Sequence, residues 1–263
     1  MLTASLTADD LAAWRRDHYL VLRRPFADAD VARLRAWTDE VAAWPETPGA
    51  WMKYFETTDT AARQICRIEN FVPFHAGFRE LLCGAGMMAI LERLMGEPAA
   101  LFKEKINLKL AGGGGFAAHQ DAPAFVTFGQ RYHITVAVAI DAATVANGCL
   151  EVSDSVDVYR TLPQAPGGSI DPAVEAVLPW RPLELAAGDV ALFDSYLPHR
   201  SRSNRSAQSR RALYVTYNRR SEGERREEYF AHKRASFPPE CERVAGVDYR
   251  ASEALYNLGN PIR

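Results

Sequence analysis

His119 and Asp121 stand two residues apart, just after four consecutive glycines, in the stretch GGGGFAAHQDAPAF (112–125). On an extended strand that spacing puts an imidazole and a carboxylate on one face, and the glycines permit a tight approach to it. Together they supply two of the three donors in the two-histidine, one-carboxylate set that holds non-haem Fe(II). Such a set leaves three positions open. A 2-oxo acid takes two of them and O2 the third.

The scheme needs a distal histidine, and the chain offers five others. His18 and His232 lie in charged helical segments and read as solvated. His75 follows NFVPF and reads as a turn or packing residue. His133 lies on the polar face of a nearby strand and is the rival. His199 has the better context: it ends the strand VALFDSYLP after a proline, where a barrel mouth would lie. An arginine cluster follows it, with Arg210 eleven residues on. A 2-oxoglutarate chelated at its keto-acid end leaves a far carboxylate in the pocket, and a guanidinium fork suits that group through two parallel charge-assisted hydrogen bonds. Alternation lets only one of Arg210 and Arg211 face inward.

The elements that must carry these residues change character along the chain. TADDLAAWRRD (7–17) opens with a Thr N-cap and acids in the first turn, a helix start. YLVLRRPF (19–26) reads as a strand. DADVARLRAWTDEVAAW (28–44) repeats apolar residues at helical spacing, capped by Asp28 or Asp30, and FRELLCGAGMMAILERLMG (78–96) is a second amphipathic region broken near Gly84 and Gly86. Beyond residue 100 the pattern alternates: ALFKEKINLKLA, then YHITVAVAID (132–141), with Ile134, Val136, Val138 and Ile140 on one face and His133, Thr135, Ala137 and Ala139 on the other. Asn147-Gly148 and Gly188-Asp189 mark turns, RRALYVTYN (210–218) alternates again, and SEGERREEYFAHKRASFPPE predicts a charged helix stopped by Pro238-Pro239. The expectation is a mainly β barrel or sandwich with bracing α-helices. It forms one domain over 1–263, with a helix-rich part (1–100), a β core (101–220) and a helical tail (221–263).

Composition narrows the classes. Lys plus Arg number 31 and Asp plus Glu 33, so bulk charge does not favour nucleic acid. The four cysteines form no C-x-x-C pair, which excludes the usual structural zinc pattern. The first residues carry charge and no apolar h-region, and no 18-residue apolar run occurs, so neither a signal peptide nor a membrane partner is expected. A cytoplasmic protein with reduced thiols is the reading. No phosphate-binding glycine motif precedes a helix and no G-x-S-x-G elbow is present.

HQD (119–121), NGCLEV (147–152), GDVALFDSYLPHRSRSNRS (188–206) and RRALYVTYN, in this order, resemble the phytanoyl-CoA dioxygenase superfamily of Fe(II)/2-oxoglutarate oxygenases. The resemblance runs from RDHYLVLRRPF nearly to the end. It implies a double-stranded β-helix, or jelly-roll, core, with Fe(II), 2-oxoglutarate and O2 as cofactor and co-substrates. It maps iron to His119, Asp121 and His199, and it selects Arg210, with Ser201 beside it, for the far carboxylate. KINLK (105–109) resembles a strand of ectoine-hydroxylase-type members whose asparagine touches the co-substrate, here Asn107. Thr135 is added from alternation alone. One departure is VSDSVDVYR, where many relatives carry a PGSH-like turn.

RIENFVPFHAGF (67–78), RRALYVTYNRRSEG and KRASFPPE most resemble members that hydroxylate 2-aminoethylphosphonate and its N-methylated analogues. A phosphonate needs several donors around three oxygens, and Lys53, Arg67, Lys103 and Lys105 are the candidates. An ammonium end suits aromatic faces such as Trp51, Tyr54 and Phe55. A small-molecule substrate is thus expected, and oligomeric state has no signal in the sequence. The alternatives are a hydroxylase of a free amino acid, an ectoine-like zwitterion or a natural-product intermediate, and a non-catalytic jelly-roll binding protein. A halogenase is disfavoured because Asp121 is present.

Overall fold

The alternation over 132–141 decides the architecture. In the computed structural model, which describes residues 5–57, 63–154 and 159–257, the strand His133–Ala139 is buried at all seven positions because both faces are covered. Ile134, Val136, Val138 and Ile140 enter an apolar core shared with Leu34, Phe78 and Leu91 of the N-terminal helices. Ala137 and Ala139 enter a second cluster with Leu150, Val152 and Phe193. Each of those four branched side chains stabilises the fold by about 1.5–3 kcal/mol on leaving water.

The chain runs α1 (Ala8–Asp17), β1 (Tyr19–Leu22), α2 (Asp28–Ala43), β2 (Met52–Thr57), β3 (Arg63–Glu69), α3 (Ala76–Cys83), α4 (Ala85–Met95), β4 (Ala99–Lys109), β5 (Phe116–His119) and α5 (Ala122–Phe125). It continues with β6 (His133–Ala139), β7 (Leu150–Val152), α6 (Pro172–Glu175), β8 (Arg181–Leu183), β9 (Val190–Asp194), β10 (His199–Ser201), β11 (Arg210–Arg219), α7 (Arg226–Ser236) and α8 (Glu253–Tyr256). Seven strands form one sheet in the order β1-β9-β6-β11-β4-β3-β2, and four form the other, β5-β10-β7-β8. All named pairs are antiparallel. The small sheet closes over the inner face of the large one, a jelly-roll core backed by helices.

Three sequence expectations need correction. The first hundred residues do more than brace, because β1 extends one edge of the large sheet and β3 and β2 the other. No aspartate caps α2: its N-cap is Ala27, whose carbonyl accepts from Asp30 and Val31, while Asp28 and Asp30 sit in the first turn facing the helix dipole. His199 does not end the strand of 190–194. Asp194 Oδ1 accepts from the Tyr196 and Leu197 N–H groups at 2.7 and 3.0 Å, turning the chain, and His199 opens a new strand in the other sheet. Three helix boundaries fall where the sequence puts them. Thr7 and Asp10 make a capping box, Gly84 separates α3 from α4, and α7 stops at Ser236.

α7 is fixed to the large sheet by a buried ion pair. Lys233 Nζ lies 2.6 Å from both oxygens of Glu69 on β3, and Arg67 donates to the same carboxylate at 3.2 Å. Burial opposes the Glu69 charge, but Lys233 and Arg67 outweigh it and bring the carboxyl down to about 2. Arg67 also donates to the Tyr256 carbonyl of α8 at 2.9 Å. α8 packs against α5, with Tyr256 in one apolar cluster with Phe125, Phe128 and Tyr229. No helix among the described residues is long and apolar enough to cross a membrane.

Candidate active site

β5 and β10 bring the two histidines together. His119 and His199 are direct cross-strand partners, and their ring centroids lie 4.2 Å apart. The approach needs glycine before it: a Cβ on Gly115 would lie 2.7 Å from the Ser201 carbonyl of β10. Asp121 joins them by a different route from the one spacing suggests. β5 ends at His119, and Asp121 adopts helical angles (φ −74°, ψ −31°) at the start of α5. The Ala122 N–H donates to the Ser195 carbonyl at 2.8 Å and fixes that turn. Between the two ligands, Gln120 is buried and acts as a clamp. Its amide donates to the Arg160 and Tyr196 carbonyls, and its oxygen accepts from the Leu162 N–H at 2.8 Å. Gln120→Leu is therefore expected to weaken Fe(II) binding roughly tenfold with the fold intact. Metal titration checks this, and an unchanged affinity would show that the clamp does not set the donors.

The donor set fits a metal. One ligand atom from each of His119, Asp121 and His199 lies within 4.8 Å of the others. His119 Nδ1 sits 2.7 Å from the Ala117 carbonyl and His199 Nδ1 3.0 Å from that of Leu197. A carbonyl only accepts, so each Nδ1 carries the proton and each Nε2 lone pair is left for an ion. Burial, reinforced by His199, pushes the His119 imidazole down to about 3, and burial lowers His199 as well. Burial opposes the charge of Asp121, but His199, Lys103 and His119 hold its carboxyl well below the usual range. Neutral imidazoles and an ionised carboxylate are the protonation states that a divalent cation takes. Thr135 Oγ1 approaches Asp121 Oδ2 at 3.4 Å and shares a 3.1 Å hydrogen bond with Thr216. In this arrangement Thr135 supports the carboxylate.

A cavity opens beside these ligands, walled by the inner face of β4 and β11. The register pairs Lys103 with Thr216, Lys105 with Tyr214, Asn107 with Ala212 and Lys109 with Arg210, so all eight share one face. Arg210 is buried on this same face, two positions before Ala212. Its Nη2 donates to the Tyr214 hydroxyl at 2.8 Å, and its Nε has no partner among the described residues. Arg211 points away, to Asp141 and Asp39. Ser201 and Asn107 line the cavity, and Asn107 Oδ1 likewise has no partner among the described residues.

Other candidates lie elsewhere. Lys53 caps the end of α2, donating to the Ala42 and Trp44 carbonyls at 2.9 and 2.6 Å, and does not reach the cavity. Arg67 is the cross-strand partner of Asn107 on the same sheet face, but its guanidinium is held in the ion cluster with Glu69 and does not line the cavity. Trp51 stacks on Trp44, Phe55 lies under the Arg63 guanidinium, and Tyr54 donates to the Phe237 carbonyl, so none forms a cage at the metal site. His133, the rival ligand, is a core residue: Nε2 faces Gln130 Oε1 at 3.0 Å, and Phe102 and Phe125 pack on the ring. The VSDSVDVYR segment borders the site in sequence, but its residues 155–158 lie outside the described residues. Lys109, Gln120 and Tyr214 were not singled out from sequence. Strand parity alone places Lys109 on the face of Lys105 and Asn107.

Comparison with known proteins agrees with this geometry. The family model of phytanoyl-CoA dioxygenase (PhyH) matches residues 14–212, which include all three proposed ligands and Arg210. A 2-aminoethylphosphonate dioxygenase from uncultured bacterium HF130_AEPn_1 is 50% identical over 98% of each chain. A methylphosphonate hydroxylase from Gimesia maris is 43% identical over 100% of this chain and 99% of the relative. Among solved structures, EctD from S. alaskensis with 2-oxoglutarate and 5-hydroxyectoine superposes with a TM-score of 0.71 at 22% identity, covering 82% of this chain and 77% of that one.

Proposed function

The chain belongs to the phytanoyl-CoA dioxygenase family and is an oxygenase that uses Fe(II), 2-oxoglutarate and O2; from that premise we propose that it hydroxylates a small phosphonate of the 2-aminoethylphosphonate or methylphosphonate type. His119, Asp121 and His199 hold the iron, and Arg210, with Ser201 and Asn107, receives the far carboxylate of 2-oxoglutarate. Bound there, the metal with 2-oxoglutarate and O2 supplies the oxidising power to replace an unactivated C–H by C–OH, with succinate and CO2 leaving. The protein's part is to orient and enclose.

The substrate assignment rests on one observation. Lys103 and Lys105 both face the cavity beside the metal ligands, and neither ammonium has a hydrogen-bond or carboxylate partner among the described residues. Burial pulls Lys103 below the ordinary lysine range and Lys105 further, because Lys103 stands beside it. Two like charges about 7 Å apart on one strand face repel each other, the Asp121 and Glu69 carboxylates offset this only in part, and a bound anion would offset it further. A phosphonate dianion offers three acceptor oxygens to both at once, and its binding restores the full charge on each lysine. A second, distinct carboxylate seat at Arg210 leaves this pair for the substrate. Relatives at 50% and 43% identity that carry phosphonate names support the same reading.

The test is succinate release and 31P NMR of products over a panel of 2-aminoethylphosphonate, its N-methylated forms, methylphosphonate, free amino acids and ectoine. Only the phosphonates are expected to turn over. Lys103→Met or Lys105→Met should each lower kcat/KM for the phosphonate by roughly 10- to 100-fold and leave the KM for 2-oxoglutarate in place. Turnover of amino acids or ectoine without any phosphonate turnover would replace the substrate class.

A further inference from the structure

Lys109 has no role in the scheme so far, yet its surroundings are specific. It is 3% exposed, and its ammonium meets three acceptors: Ser201 Oγ at 2.7 Å, the Arg202 carbonyl at 2.5 Å and the Gly148 carbonyl at 3.3 Å. Gly148 makes room for this junction. Its φ is +76°, and a Cβ there would lie 2.1 Å from the Arg202 carbonyl and 3.1 Å from Lys109 Nζ. In its charged form, the form that an anion in the seat favours, Lys109 only donates. Ser201 Oγ must therefore accept from Lys109, and the serine proton is turned elsewhere. Ser201 lines the cavity, so that proton is available there.

The second observation is the partner across the ladder. Lys109 and Arg210 sit directly opposite in the β4–β11 register. Like charges in that position oppose each other, and among the described residues no carboxylate bonds to Lys109. The acids nearest to it are engaged elsewhere: Glu151 holds Arg200 and Arg202, and Glu56 accepts from the Gly114 N–H. Arg210 Nε is buried without a partner among the described residues. Burial first, and Arg210 second, disfavour the Lys109 charge and push its amine down to about 6, so the ammonium is completed when an anion binds beside it. Two opposed cations, an unmet guanidinium N–H and a serine proton directed into the cavity form a seat with a net deficit of negative charge.

We propose that Lys109 is a positioning residue for the far carboxylate of 2-oxoglutarate: by occupying the acceptor side of Ser201 Oγ it aims the serine proton at that carboxylate, and it adds a second cation beside Arg210. This rests on the reading of Arg210 and Ser201 as the co-substrate seat. The far carboxylate is thus gripped by a guanidinium and a hydroxyl whose direction Lys109 sets, and the anion in turn relieves the repulsion between Lys109 and Arg210.

The experiment is anaerobic titration of the Fe(II) protein with 2-oxoglutarate, followed through the visible absorbance of the metal–keto-acid complex. Pyruvate, which has the same keto-acid end and no far carboxylate, runs in parallel. Lys109→Met should weaken 2-oxoglutarate binding roughly tenfold or more and leave pyruvate within about twofold. Lys109→Gln keeps donors for the two carbonyls but loses the charge, and should show the same selective loss. Ser201→Ala should cost less, and adding it to Lys109→Met should cost little more, since both act through one hydroxyl. Unchanged 2-oxoglutarate affinity in either folded Lys109 variant overturns the proposal, as does an equal loss for both acids, which marks a purely structural pin. A wild-type protein that gives no absorbance change with 2-oxoglutarate removes the co-substrate reading itself.

Discussion

His199→Ala is expected to cut Fe(II)-dependent succinate release by at least about 10³-fold, equivalent to roughly 4 kcal/mol of lost transition-state stabilisation, while the protein stays folded. The side chain contributes one of three donors, and the other two cannot close a facial set. Its Nδ1 bond to the Leu197 carbonyl and its ring contacts with Phe193 and His119 are lost, while β10 keeps its pairing with β5 and β7. The backbone therefore has no reason to rearrange. Iron content after gel filtration, a thermal melt and the succinate assay together decide the matter. A folded His199→Ala protein with wild-type turnover would mean that the ion lies elsewhere.

Arg210→Leu is the second large effect. The KM for 2-oxoglutarate should rise about 100-fold, as expected when two charge-assisted hydrogen bonds to a carboxylate disappear. The KM for the phosphonate should stay near its original value, because Lys103 and Lys105 line a different stretch of the β4 face. Arg211→Leu is the matched control. That guanidinium faces Asp141 and Asp39 on the outside, so its loss should cost a little stability, about 1 kcal/mol or less, and leave both KM values alone. Steady-state kinetics with each substrate varied in turn separates the two. Equal effects from both variants would show that strand parity does not select the seat.

Much of the site was legible because it obeys strand parity. In 210–218 one arginine must point inward, and the structure turns Arg210 in and Arg211 out. In 132–141 the apolar face went to the helices and the small face to the space between the sheets, where Thr135 lines the cavity and Ala137 and Ala139 pack in apolar surroundings. The same rule, carried one step further along β4, would have named Lys109. What parity does not show is what meets a side chain at its tip. Lys53 has the composition of an anion site, yet its ammonium is spent on two carbonyls at a helix end nine and eleven residues away. Glu69 and Lys233 lie 164 residues apart, and no local pattern announces that they will share a buried pair. Asp121 reached the metal through a helical turn and not along a strand, a detail hidden by the identical spacing. His199 opens a strand because the Asp194 side chain folds the chain back, and only the tertiary partner shows on which sheet it lands.

The docking of α8 has a consequence for the metal site. Residues 253–256 rest on α5, which begins one residue after Asp121, and the Tyr256 carbonyl is held by Arg67. The turn that carries Asp121 thus leans on a segment that follows all three proposed iron ligands in the chain, so anything that undocks that segment should loosen the carboxylate before either histidine.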